Sequence, residues 1–288
     1  MKVQAMFYER IKDKVHCFLC PHNCVIENGH FGRCNVRKHE DGKLFTINYG
    51  QITSAALDPI EKKPLSYFKP STYILSVGTF GCNFKCGFCQ NHSISQFVSE
   101  KGIEGDFITK EELVETALSI KNNIGIAFTY NEPSIWYEYV YDCAKLLKER
   151  EPNASIVLVT NGYINEEPLK QLLPYTDAMN IDLKSFKNEY YKNICGGSLK
   201  PVLKTIETAA KHCHVEITTL LVTGENDNLD EVEQIAAYLG SIRKDIPLHL
   251  TRYFPRYKYK NPPTDISFMK KAEEVAKKHL SRVVLGNV

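Results

Sequence analysis

Tyr73-Ile74-Leu75-Ser76-Val77-Gly78 leads through Thr79-Phe80 into Gly81-Cys82-Asn83-Phe84-Lys85-Cys86-Gly87-Phe88-Cys89, an apolar run of strand length followed by three cysteines spaced C-x3-C-x2-C. A short apolar run closed by glycine reads as a buried strand. Similar runs recur at residues 124–129, 155–160, 178–183, 215–222 and 247–254. The stretches between them, at 109–122, 134–149, 166–173, 201–212, 229–242 and 267–279, carry apolar residues at helical spacing. This alternation is the signature of βα units on a parallel sheet, with connectors long enough for right-handed crossovers. Six such units make an incomplete barrel. The expected fold is α/β, a partial (β/α)6 TIM-like barrel over residues 71–288, and residues 283–288 read as a further short strand.

The first 70 residues differ in character, being rich in Cys, His, Gly and Pro with only short candidate strands at 44–49 and 52–56. They read as a small Cys-rich, metal-binding N-terminal domain, residues 1–70. Cys17, Cys20, Cys24 and Cys34 place four thiols within 18 residues among the turn formers Pro21, Gly29 and Gly32. Four soft ligands on tight turns fit a closed structural zinc site or a second 4Fe-4S cluster, with His16 and His22 as substitute ligands.

Composition narrows the function classes. The 36 Lys and Arg against 34 Asp and Glu leave a formal charge of +2, without the basic surplus that nucleic acid or an acidic membrane requires. The 43% hydrophobic content excludes a disordered chain. Charges fill the first residues where a signal peptide is apolar, and no run approaches the ~18 to 20 apolar residues of a membrane span. The expected location is cytoplasmic, where ten cysteines point to metal binding or catalysis rather than disulfides.

Chemistry on a parallel barrel sits at the carboxyl ends of the strands, which is where the 82–89 loop falls. Three thiolates on one short loop can hold three irons of a 4Fe-4S cluster and leave one iron open. The open iron can take the amino and carboxylate groups of S-adenosylmethionine (SAM), which is the radical SAM arrangement. A zinc knuckle is the alternative, but zinc takes four protein ligands or an open hydrolytic site, and only His92 is close in sequence.

Further strings extend this reading: Cys17-Phe18-Leu19-Cys20-Pro21, Asp58-Pro59-Ile60-Glu61-Lys62-Lys63-Pro64-Leu65, Phe88-Cys89-Gln90-Asn91 with Ile94-Ser95-Gln96, Thr129-Tyr130-Asn131-Glu132-Pro133, Thr160-Asn161-Gly162, Asp182-Leu183-Lys184 and Gly286-Asn287-Val288. On these strings the chain from Cys17 to Val288 resembles the radical SAM proteins of the AmmeMemoRadiSam system, which are related to pyruvate formate-lyase activating enzymes. The resemblance implies an oxidoreductase that reductively cleaves SAM to methionine and a 5'-deoxyadenosyl radical, which then abstracts hydrogen from a substrate. It implies Cys82, Cys86 and Cys89 as the catalytic cluster ligands, with Phe88 the aromatic residue of the signature. Glu132 or Asn131 would contact SAM where related enzymes carry Gly-Gly-Glu, Tyr130 and Asn131 here standing in place of the glycines. The same residues also read as an ordinary helix start, Asn capping and Pro in the first turn. Asn161, Asp182 and Lys184 would face the SAM carboxylate and ribose; their plain alternative is an Asn-Gly turn and a surface ion pair.

The implied electron donor is ferredoxin or flavodoxin. The implied substrate is a glycyl-radical protein, or a small molecule handled with Memo-like or AMMECR1-like partners. A non-enzymatic iron-sulfur or zinc redox sensor or scaffold is the alternative class. His249 and Arg252 lie three apart on one strand and therefore face opposite sides. Cys143 and Cys213 read as core thiols, while Cys195, before Gly196-Gly197, lies near the expected site.

Overall fold

The computed structural model describes residues 2–96 and 105–288. Its centre is an eight-stranded sheet formed by β1 (Ser54–Pro59), β2 (Tyr73–Gly78), β3 (Asn123–Phe128), β4 (Ser155–Thr160), β5 (Ala178–Asp182), β6 (His214–Leu221), β7 (Leu248–Arg252) and β8 (Val283–Gly286). The strands lie side by side in chain order, and every neighbouring pair is parallel except β1 and β2, which run antiparallel. The edge strands β1 and β8 are not hydrogen-bonded to each other, so the sheet is open.

The six expected parallel strands are joined by a seventh, because the further short strand expected at 283–288 forms β8 and pairs with β7, from Leu248 opposite Val283 to Thr251 opposite Gly286. The antiparallel β1 is the larger departure. It begins within the stretch read as a candidate strand at 52–56 but continues to Pro59, alternating half-buried and exposed side chains. An edge strand with one wet face carries no continuous apolar run, so its sequence resembles a loop.

The crossovers are α1 (Lys110–Ser119), α2 (Tyr137–Arg150), α3 (Glu166–Leu172), α4 (Leu199–Ala209), α5 (Leu229–Ile242) and α6 (Ile266–Ala276). Their starts follow local chemistry. Thr109 and Glu112 form a reciprocal capping box at α1, and the Asn228 side chain accepts from Asp230 N and Glu231 N at α5. The buried faces continue into the N-terminal segment, since Val15, Leu19, Ile26 and Leu44 belong to the same buried apolar cluster as the strands and helices. Short antiparallel ladders, Val3–Gln4 with Lys43–Thr46 and Tyr8–Ile11 with Lys14–Cys17, organise that segment. No helix among the described residues is long and apolar enough to cross a membrane.

Candidate functional site

The cysteine loop leaves the carboxyl end of β2 and is held from several directions. The Asn131 side chain accepts from Thr79 N at 3.1 Å and donates to Gly81 O at 3.0 Å. His22 Nε2 meets Asn83 O at 2.8 Å, and Asn83 donates to Tyr163 O at 2.8 Å. Lys85 N donates to Cys195 O at 2.8 Å, and Lys258 N to Gly87 O at 2.9 Å. These bonds satisfy a buried loop backbone that has no ladder of its own.

The three thiols stand in one electrostatic neighbourhood. Burial, and then the Glu132 carboxylate, push the Cys82 thiol well above its ordinary value, with Cys86 and Cys89 adding to the shift. Cys86 is pushed up by a hydrogen bond with the Cys195 thiol and by burial, Cys89 by burial despite Ser95, whose Oγ lies 3.3 Å from its Sγ. Buried thiols that resist ionisation become thiolates when a cation takes the charge. Three neighbouring thiols suit a 4Fe-4S cluster, in which each cysteine takes a separate iron. The donor set fits such a cluster, with Cys82, Cys86 and Cys89 as its protein ligands.

The remaining sequence candidates divide by what they touch. Lys184 Nζ pairs with Asp182 Oδ2 at 2.7 Å and lies 6.0 Å from the Phe88 ring centroid. Burial disfavours its charge, yet Asp182, Cys86 and Cys195 together hold it well above the usual lysine range. Asn161 Nδ2 donates to Asn83 Oδ1 at 2.8 Å and lies 3.8 Å from Cys82 Sγ. Glu132 is buried and accepts from Ser134 N, Thr160 Oγ1 and Asn161 N, so its carboxylate braces two strand ends. Tyr130 sits at φ 69°, the left-handed backbone that glycine favours, and its hydroxyl donates to Asp58 Oδ2 at 3.0 Å. The substitution for glycine therefore keeps a glycine-like turn.

Of the other strand-end residues, His249 is buried with Nε2 2.6 Å from Glu216 Oε2, while Arg252 Nε donates to Thr264 O at 2.8 Å. Cys143 is fully buried, and the half-buried Cys213 donates to Ala209 O at 3.6 Å. A strap after β7 was not anticipated from the sequence. The Tyr259 ring meets Phe88 edge-on at 5.8 Å, and the Tyr257 and His92 rings stack at 4.6 Å. Gly87 admits this strap, because a Cβ there would stand 2.6 Å from Tyr259 Cε2. The alternation of aromatic and basic residues in Arg256-Tyr257-Lys258-Tyr259-Lys260 was the available signal.

An open, mostly parallel α/β sheet with a three-cysteine loop after its first parallel strand defines the class, and the chain belongs to the Radical SAM superfamily, which it matches over residues 76–239. It is 42% identical to an uncharacterized protein of Methanocaldococcus jannaschii over 99% of this chain and 85% of that one. It is 26% identical to the pyruvate formate-lyase-activating enzyme of Clostridium pasteurianum over 60% of this chain and 72% of the relative. The fold is similar to that of a radical SAM methyltransferase from Sphaerobacter thermophilus, with a TM-score of 0.54 and 16% identity over 76% of this chain and 67% of that structure.

Proposed function

We propose that the chain is an activase-like radical SAM oxidoreductase of the AmmeMemoRadiSam type, built on a partial barrel that the strand at 54–59 joins at its edge, with a metal-bearing N-terminal segment before that strand. The cluster held by Cys82, Cys86 and Cys89 would supply one electron to cleave SAM into methionine and a 5'-deoxyadenosyl radical that takes hydrogen from a substrate. The observation that carries the reading is the half-buried Lys184–Asp182 pair set beside Cys86, since a cation partly withdrawn from water there can receive a carboxylate.

Lys184, Asp182 and Asn161 are the side chains assigned to SAM, with Phe88 flanking Lys184. Asn131 and Glu132 act through the backbone they fix around the loop. Tyr259 and Phe88 help to exclude water from a reactive radical. A glycyl-radical protein is the proposed substrate and a ferredoxin or flavodoxin the proposed donor, the alternative being a small molecule handled with Memo-like or AMMECR1-like proteins. A ligand set of free thiols suits the reducing cytoplasm.

Anaerobic reconstitution with iron and sulfide, followed by dithionite and SAM, tests the reading by mass spectrometry. Wild type should form 5'-deoxyadenosine and methionine, and Cys86→Ala should form neither. An intact, reducible 4Fe-4S cluster in wild type that leaves SAM untouched, with and without the candidate partners, would overturn the enzyme reading in favour of a sensor or scaffold.

A further inference from the structure

Cys17, Cys20, Cys24 and Cys34 line one small pocket together with Arg37 and Ile135. Four thiols around one pocket match the ligand complement of a 4Fe-4S cluster, one cysteine at each iron. Arg37 adds a second, independent sign. It is buried, donates to Met6 O at 2.7 Å, places Nη1 3.7 Å from Cys17 Sγ and pairs with Glu138, yet its buried Nε–H has no hydrogen-bond partner. Buried donors are normally satisfied, and inorganic sulfide in the cavity would provide the acceptor.

We propose that Cys17, Cys20, Cys24 and Cys34 hold a second 4Fe-4S cluster that relays electrons to the cluster of the 82–89 loop. The proposal rests on the reading of that loop given above. The two cysteine-bearing segments are in direct contact. Cys34 O lies 2.8 Å from the point where Gly81, the residue before Cys82, would carry a Cβ. His22, between Cys20 and Cys24, bonds to Asn83 O, the residue after Cys82. In the relay, a low-potential one-electron carrier protein reduces the N-terminal cluster from 2+ to 1+. That electron then reduces the loop cluster, and the N-terminal cluster returns to 2+. No bond is made or broken and no proton moves.

The test uses the full chain, reconstituted anaerobically with ferrous iron and sulfide, as wild type, as Cys20→Ser/Cys24→Ser and as Cys82→Ala/Cys86→Ala/Cys89→Ala. Iron, sulfide and zinc are counted, and the reduced clusters are followed by electron paramagnetic resonance. Wild type should hold about eight irons and each variant about four, the content of one 4Fe-4S cluster. The signal left in the triple variant should ignore SAM, while that left in the double variant should change on adding SAM. Reduction of the double variant by flavodoxin should slow about tenfold, equivalent to ~1.4 kcal/mol on the barrier, with dithionite reduction unchanged. If circular dichroism shows the double variant unfolded, Cys24→Ser alone is used, and its SAM-indifferent signal should shift in g-value; an unchanged signal counts against ligation.

One zinc per wild-type chain that iron and sulfide do not displace, beside a SAM-sensitive loop cluster, would overturn the second cluster. An unchanged flavodoxin rate in the folded variant lacking it would overturn the relay. Absence of any SAM-sensitive cluster in wild type would instead overturn the function proposed for the loop.

Discussion

The Glu132 carboxylate receives the backbone N–H of Asn161 at 2.8 Å, linking the turns that follow β3 and β4. It also takes Thr160 Oγ1 at 2.6 Å and Ser134 N at 2.9 Å, and Glu132 is 1% exposed. With its backbone fixed, the Asn161 side chain reaches Asn83 and Cys82. Glu132→Ala strands three donors away from water, and leaving buried groups unsatisfied should lower the unfolding free energy by ~2–4 kcal/mol. The urea midpoint checks this, and it should fall without a large change in slope.

Gly81 and Gly29 separate backbone strain from contact. Both have left-handed backbones, at φ +87° and +80°, but a Cβ at Gly81 would stand 2.5 Å from Val36 Cγ1 and 2.8 Å from Cys34 O, whereas nothing lies within 4 Å at Gly29. Gly29→Ala should lose about 1 kcal/mol from the left-handed backbone. Gly81→Ala should lose a further ~1–3 kcal/mol from overlap. Thermal denaturation of the two variants side by side makes the comparison, and equal losses would remove the contact argument.

Glu216 predicts an acid-sensitive fold. Burial pushes its carboxyl up, but donors from His214, His249 and Tyr67 N outweigh burial and hold it at about 2. A folded value below the unfolded one stabilises the protein fully above pH ~4.5 and is lost as pH falls toward ~2. Wild-type stability should therefore decline by a few kcal/mol across that window. Glu216→Gln should be less stable at pH 7 and show a flatter decline, as read from denaturant curves at several pH values.

Lys184→Met should weaken SAM without emptying the loop of iron. The removed cation lies against the half-buried Asp182, and a carboxylate partly withdrawn from water and left alone is costly, so Lys184→Met/Asp182→Asn is the control for folding. Loss of a charge-assisted bond to the SAM carboxylate, at ~1.5–3 kcal/mol, corresponds to roughly a 10- to 150-fold rise in the SAM dissociation constant. Isothermal titration on the reconstituted protein measures it. An unchanged affinity in both variants would remove Lys184 from the site.

Much of this arrangement was legible because its signals are local. Strands β2 and β4 fall at 73–78 and 155–160 as expected, since each is an apolar run bounded by a turn signal. Helix α5 spans the expected 229–242, with Asn228 supplying its start. The C-x3-C-x2-C spacing was likewise complete within one loop. What escaped the sequence depends on distant partners. Cys195 was read as near the site, but its pairing with Cys86 depends on how the loop after β5 folds back, and Lys258 reaches Gly87 from beyond β7. The left-handed backbone at Tyr130 was also hidden, because tyrosine carries no preference for it and a gap on the crowded side of Gly78 makes room for it.

The connector between β1 and β2 has a mechanical consequence. Lys63 pairs with Asp58 at 2.8 Å, Pro64 O accepts from the Asn180 side chain at 2.8 Å, and Ser66 N and Tyr67 N donate to Glu216 at 3.0 and 2.8 Å. One short stretch of chain is therefore tied to the first, fifth and sixth strands of the sheet. Peeling from the β1 edge cannot proceed strand by strand while those ties hold, so amide hydrogens in β1 and β6 should exchange through a common opening rather than in sequence.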